Sequence, residues 1–378
     1  MNGFLLTHKG MEDIAALEVK ELIGAESDKI EKCITFGIKD YEDLFKLCYL
    51  SQSASGIFLL LKKFEYSNIS ADLKKNIESI DFSEWLGPET AFRVRCISYG
   101  EEEGTTQEIE RKIGEIIIHT QEKRGYRQKV DLENPDVAIC LYMAENQCCI
   151  GIDFAGFDLS KRSYKIFSDP SSLKGTLAYF LVRLSSYSKK EALLDCFAGS
   201  GVIPIEASLF ALGFPVNFYS KEKFAFTKIG KFANYNFKSF FAKIDSKIKK
   251  GGSLSIYSVD PSMKYIQFAK KNSKIAGVDK KIAFSRMDIE WLDTKFKKNS
   301  VDKISSKLPE SQRKDTDKSY REFFYQAEFI LSKNGKMAVI GNKALVEKYA
   351  SEFSFSILES REVFSGSKKY DVFVLSKK

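Results

Sequence analysis

The chain has 378 residues, 44% hydrophobic and 29% charged, with a formal net charge of +8. That length suits two or three domains, the balance excludes a disordered chain, and the mild positive excess is compatible with a nucleic-acid partner without identifying one. Seven cysteines without a CxxC pair, with only His8 and His119 beside them, offer no zinc ligand set, so reduced thiols and no metal are expected.

In chain order, MNGFLLTHKGMED reaches acidic residues too soon for a secretory signal, and a cytoplasmic location is expected. FLLTH (4–8) reads as a strand. MEDIAALEVKELIGA gathers Ile14, Leu17, Val19, Leu22 and Ile23 near one helical face, with Gly24 as its stop. DLFKLCYLSQSASGIFLLLKKF supplies a second helix and strand, closing a small α/β unit near residue 65; its GIFLLL run is too short to cross a membrane. TAFRVRCIS then alternates Phe92, Val94 and Cys96 with Arg93 and Arg95, as a half-buried strand does. TTQEIERKIGEIIIHTQEKRG opens on Thr105 and Glu108 at capping-box spacing and ends at Gly125. Strands DVAICLYMA and QCCIGIDFAG follow, joined by a turn at Glu145 and Asn146, and then a basic loop, LSKRSYK.

From about residue 191 the rhythm changes. Strands are expected over 192–196, 254–259, 282–287, 301–305 and 336–341, helices over 203–212, 262–276 and 318–331, with YDVFVLS closing the chain. This alternation predicts a parallel sheet covered on both faces. The lysine-rich stretches near 242–250 and 295–307 read as solvated loops before RNA contacts. The aromatic run KFAFTKIGKFANYNFKSFFAKI reads as a helix buried against the sheet before a base-stacking platform.

The stretch LDCFAGSGVIPIEA carries the chemistry. It runs from a strand end through Gly199 and Gly201 into a helix whose first turn holds Pro204, where a missing N–H matters little. No lysine follows to make a phosphate-binding P-loop, and Pro204 stands where a dinucleotide fingerprint has its third glycine. Asp195, just before the bend, would repel a pyrophosphate at the helix N-terminus but suits a cofactor bearing an ammonium, such as S-adenosylmethionine. Asp260 follows the second strand, and Asp288 follows the third, where a carboxylate can accept from an adenine amino group; ligands in such sheets sit at these strand ends. Taken singly, the glycines also fit a plain turn and the acids a helix cap.

These residues resemble the THUMP-domain RNA methyltransferases that modify guanosine N2, the position-6 tRNA enzymes and related ribosomal RNA enzymes. LDCFAGSGVIPIEASL resembles that family's DPFCGSGTIPIEAA motif, VDLENPDVAICLYM through GIDFAGFDLSKRSYK resembles the end of a THUMP module, and DPSSLKGTLA resembles its APLKETLA connector. The resemblance implies an α/β fold: a ferredoxin-like domain (1–65), a THUMP domain (66–166), a linker (167–190) and a Rossmann-like class I methyltransferase domain (191–378). It places Asp195, Phe197, Gly199, Ser200 and Gly201 in the cofactor loop and Thr176 near the cofactor carboxylate. Lys123, Arg124, Arg127, Lys161, Arg162 and Lys165 become candidate phosphate contacts for the acceptor end of tRNA, with ribosomal RNA the other substrate class.

Three departures stand out. Ser258 replaces the acid that binds ribose hydroxyls, and Lys161-Arg162-Ser163-Tyr164-Lys165 lacks the glycine of KRGYR. After the fourth strand, Lys307-Leu308-Pro309-Glu310 stands where the family has Asn/Asp-Pro-Pro-Tyr/Phe. That motif orients the target amine through acceptor oxygens and stacks an aromatic ring on the base. A protonated lysine accepts no hydrogen bond; Glu310 accepts but cannot stack. Leu308, Pro309 and Glu310 are therefore the candidate catalytic residues of an active enzyme. The other readings are an RNA-binding homologue impaired in transfer and a Rossmann-like protein holding a different nucleotide.

Overall fold

The structure, a computed structural model, describes residues 1–67, 69–99, 105–249, 251–310 and 314–378. The elements begin β1 (Asn2–Leu6), α1 (Glu12–Ile23), β2 (Ser27–Ile30), β3 (Cys33–Gly37), α2 (Tyr41–Leu50), β4 (Gly56–Glu65), α3 (Ile69–Glu78), β5 (Ala91–Ser98), α4 (Thr106–Glu122), β6 (Lys129–Val130), β7 (Val137–Ala144) and β8 (Gln147–Asp153). They continue α5 (Gly175–Leu184), β9 (Leu193–Asp195), α6 (Val202–Leu212), α7 (Phe237–Asp245), β10 (Ile256–Asp260), α8 (Met263–Ile275) and β11 (Ile282–Arg286). The last are α9 (Leu292–Lys295), β12 (Val301–Lys307), α10 (Lys314–Ile330), β13 (Leu331–Ile340), α11 (Lys343–Glu352), β14 (Phe355–Ser365) and β15 (Lys368–Lys377). They form two units, one of residues 1–7, 15–159 and 219–243, the other of 8–14, 160–218 and 244–378.

The first unit is built on one eight-stranded sheet, ordered β2-β3-β1-β4-β8-β7-β5-β6. Its ten-residue β4 joins the two halves, pairing β1 along Gly56–Leu60 and β8 along Phe58–Glu65. The sheet therefore runs unbroken past residue 65. The α4 capping box forms as its spacing requires: Glu108 N–H donates to Thr105 Oγ1 and Thr105 N–H to Glu108 Oε2. Glu145 and Asn146 both take positive φ, +52° and +61°, which matches the twist of the hairpin they close.

The aromatic run departs from its expected form. It folds as two short 3₁₀ turns, Ala225–Thr227 and Gly230–Phe232, followed by α7, and residues 219–243 belong to the first unit. Phe226, Phe232, Tyr235, Phe237 and Phe240 all contact the Phe45 ring of α2. Aromatic spacing records burial but does not name the surface that buries it.

The second unit carries a seven-stranded sheet, ordered β11-β10-β9-β12-β13-β15-β14, with β11 to β13 parallel and β15 and β14 antiparallel. This is the Rossmann-like α/β arrangement expected. Period-2 alternation feeds a core on each face: Ala338 and Ile340 of β13 join one, Met337 and Val339 the other. Polar β14 was not foreseen; it is an edge strand with little apolar alternation. Residues 167–190, expected as a linker, contain α5, in which every residue but Arg183 is buried. The stretch 295–307 is only partly a solvated loop, since 301–307 is β12 and Lys303 is buried against Glu191 at 3.3 Å. Residues 8–14 also pack here: Met11 and Ile14 enter the core with α5 and α6, and Arg361 donates to Asp13. Gly10 (φ +86°) permits this, because a Cβ there would lie 2.3 Å from the Glu362 carbonyl oxygen.

Candidate active site

β9 is three residues long, and its chain leaves the sheet through Cys196 to Ser200 into α6. The bend requires glycine twice. Gly199 takes φ +50° and Gly201, the N-cap of α6, takes φ +81°; a Cβ on Gly201 would sit 2.7 Å from that of Ala269.

Asp195 and Asp260 reach this bend from the sheet. Asp195 is 1% exposed and accepts from the Ser306 hydroxyl at 2.6 Å and the Phe197 N–H at 3.3 Å. Burial pushes its carboxyl up to about 7, against the pull of those hydrogen bonds, with the charges of Asp260 and Asp169 adding to the rise. Ser306 of β12 also accepts from Cys196 N–H, so one hydroxyl ties the two strand ends together. Asp260 accepts from Gly199 N–H at 2.9 Å and Ser262 N–H at 2.8 Å, fixing the bend to the start of α8; burial raises its carboxyl too. Asp288 is exposed at the end of β11. Ser258, two residues before Asp260 on β10, has a buried hydroxyl without a hydrogen-bond partner among the described residues.

A third carboxylate escaped the sequence reading. Asp169, in the segment before α5, accepts from the Ser171 N–H and hydroxyl and from the Ser200 N–H. Its signal was the turn-forming Asp-Pro-Ser-Ser stretch ahead of a helix. Ser172 and Ser200 hydroxyls lie 2.8 Å apart, joining the segment to the bend. A narrow cleft over the bend is walled by Asp169, Ser171, Asp195, Phe197, Gly199 and Lys307. Thr176, expected near a cofactor carboxylate, is instead fully buried with its hydroxyl 2.8 Å from His8 Nε2.

The turn after β12 is made by side chains. The Lys307 ammonium donates to the Ser171 carbonyl at 2.9 Å and pairs with Glu310 at 3.2 Å; burial lowers its pKa. Glu310 also pairs with Lys368 at 2.8 Å. Burial works to raise its carboxyl, and the two lysines bring it below the usual range. Leu308 is buried with its N–H given to the Ile340 carbonyl, and the Pro309 carbonyl accepts from Tyr320.

Two of the basic candidates are corrected. Arg162 is not a surface contact: its side chain and that of Glu206 are fully buried, paired at 2.8 Å and 3.2 Å, with Tyr164 donating to Glu206 at 2.6 Å. Gly175 makes room, since a Cβ there would lie 2.4 Å from Arg162 Nε. Lys165 is half-buried and donates to the Ser172 and Leu173 carbonyls. Lys161, Lys123 and Arg127 are exposed, and Arg124 pairs with Asp81. Lys123 borders a groove of about 470 Å³ between α3 and α4, with Lys74, Lys112 and His119. No helix among the described residues is long and apolar enough to cross a membrane, and no cluster of three metal-ligating side chains occurs among them.

Comparison with known proteins adds the following. Residues 162–371 match the RMKL-like methyltransferase domain and residues 70–153 the THUMP domain. The chain is 31% identical to the tRNA (guanine(6)-N2)-methyltransferase of Methanocaldococcus jannaschii, each covered over its full length. It is 26% identical to the enzyme of the same name from Archaeoglobus fulgidus, over 91% of this chain and 83% of that one. A solved structure described as a possible methylase from Clostridium difficile superposes with a TM-score of 0.85 at 21% identity, covering 100% of this chain and 98% of that one.

Proposed function

Because the chain belongs to the THUMP-bearing, RMKL-like methyltransferase family, we propose that it transfers a methyl group from S-adenosylmethionine to guanosine N2 of a tRNA, with the THUMP-bearing unit docking the acceptor end. The observation that carries this reading is the glycine bend rimmed by Asp169, Asp195 and Asp260. The full-length likeness to a tRNA guanine-N2 enzyme supports the substrate.

The residues present fit the cofactor. A Cβ on Gly199 would lie 2.9 Å from Asp169 Oδ2, so only glycine leaves this cradle open. When bound, S-adenosylmethionine supplies an electrophilic methyl on a sulfonium. The chain's own task is to bind and orient. Asp260 holds the bend in shape, Asp288 is available to an adenine amine at the end of β11, and Glu310 offers the acceptor oxygens for the target amine. Lys307 is engaged with Ser171 and Glu310, so its charge is partly neutralised beside the site. Positioning of this kind supplies most of what a methyl transfer needs. Exposed Lys161, Lys123 and Arg127 serve as phosphate contacts, and RNA affinity then falls with salt.

One observation favours a second reading, an RNA-binding homologue impaired in transfer: a lysine occupies the position of the amine acceptor and no aromatic residue follows it. Labelled methyl transfer to unmodified tRNA, followed by nucleoside analysis, separates the two. N2-methylguanosine is expected; tRNA binding without incorporation would favour the impaired homologue.

A further inference from the structure

An α-amino-acid cofactor brings both an ammonium and a carboxylate to the glycine bend. The carboxylate can use backbone N–H groups at the start of α6; the ammonium needs an ionised carboxylate within reach. The residue that sequence order offers for this is Asp195. Its geometry argues otherwise, because it is 1% exposed and already joined to Ser306 and Phe197. Asp260 commits one oxygen to Gly199 and the other to Ser262, and so holds the bend itself.

We infer that Asp169, on the segment before α5, is the residue that receives the ammonium of the methyl donor's amino-acid end. This inference rests on the proposed use of S-adenosylmethionine. Asp169 lies in the cleft wall against the bend, with Oδ2 bound to Ser200 N–H and 2.9 Å from where a Gly199 Cβ would stand. A carboxylate has about four acceptor positions. Ser171 takes two on Oδ1 and the Ser200 N–H one on Oδ2. The Ser200 hydroxyl also leans on this carboxylate but has the Ser172 hydroxyl at 2.8 Å as its other partner, so the oxygen nearest the bend can exchange that contact for a ligand ammonium. Burial works to raise this carboxyl, but the bonds from Ser171 and Ser200 prevail and hold it below the ordinary range, so it stays ionised while Asp195 tends toward neutrality.

The segment is anchored rather than loose. Lys307 grips the Ser171 carbonyl, and Lys165 grips those of Ser172 and Leu173. Lys307 is thereby a positioning residue: it stands where the family clamps the target base but here braces the segment that carries Asp169.

Calorimetry with S-adenosylhomocysteine and with its deaminated analogue, in which hydrogen replaces the α-amino group, reads this directly on the full chain. Wild type is expected to prefer the amine-bearing ligand by about 10- to 100-fold, the range of one charged hydrogen bond. Asp169→Asn is expected to bind both ligands within about threefold, while Asp195→Asn keeps the wild-type preference. Circular dichroism establishes that each variant is folded, and Asp169→Glu, which keeps the charge, retains a preference for the amine. A folded Asp169→Asn with the wild-type preference, or its loss in Asp195→Asn instead, would overturn the assignment. Wild type that binds neither ligand would overturn the methyl-donor reading itself.

Discussion

At the carboxyl end of β9 the chain is shaped by its backbone: Gly199 and Gly201 take positive φ, and carboxylates pin the N–H groups of Gly199 and Ser200. At the end of the adjacent β12 it is shaped by charged side chains, with Glu310 held between Lys307 and Lys368. The two turns differ in what substitution can do to them. A bend that only glycine can make resists change because any Cβ strains it, whereas a turn made of ion pairs can exchange one set of side chains for another. The glycine bend keeps the residues of the family's motif, whereas Ser258 and Lys307 to Glu310 depart from it.

The bend should fail first where its helix is anchored. Arg162→Met leaves the Glu206 carboxylate buried without its cation and is expected to lower stability by about 3–5 kcal/mol, read by urea denaturation; adding Glu206→Leu should recover much of the loss. Next comes Asp195. With its folded-state carboxyl raised to about 7, the folded protein keeps a proton that the unfolded chain, at about 4, releases. Wild-type stability relative to Asp195→Asn should therefore be greatest below about pH 4 and fall up to about pH 7, by on the order of 1 kcal/mol per pH unit. A difference that rises with pH would mean that the carboxylate is stabilised as an ion. Gly201→Ala, strained in φ and crowded by Ala269, is expected to cost about 1–3 kcal/mol and to weaken S-adenosylhomocysteine binding. The smallest effect belongs to Lys161→Ala: unchanged melting temperature, and a slope of log affinity for tRNA against log salt that is shallower by about one.

The same contrast explains what could be read from the sequence. The bend was legible because single residues impose its conformation, and the parallel sheet because strands and helices alternate along the chain from about residue 191. Asp169 and Ser306 were not, since their partners lie 31 and 111 residues away. Lys161 and Arg162 are neighbours of like charge, yet one is exposed and the other is sealed against Glu206, 44 residues on. Composition cannot separate them; the helix that supplies Glu206 does. Thr176 likewise begins a helix whose burial no local pattern in 167–174 announced.

Single-turnover methyl transfer to unmodified tRNA, comparing wild type with Glu310→Ala at saturating cofactor, addresses the proposed role of the Lys307 to Glu310 turn most directly. The expected result is N2-methylguanosine formation by wild type and its loss in the variant, with S-adenosylhomocysteine affinity unchanged. Transfer that survives Glu310→Ala undiminished would contradict the role assigned to Glu310.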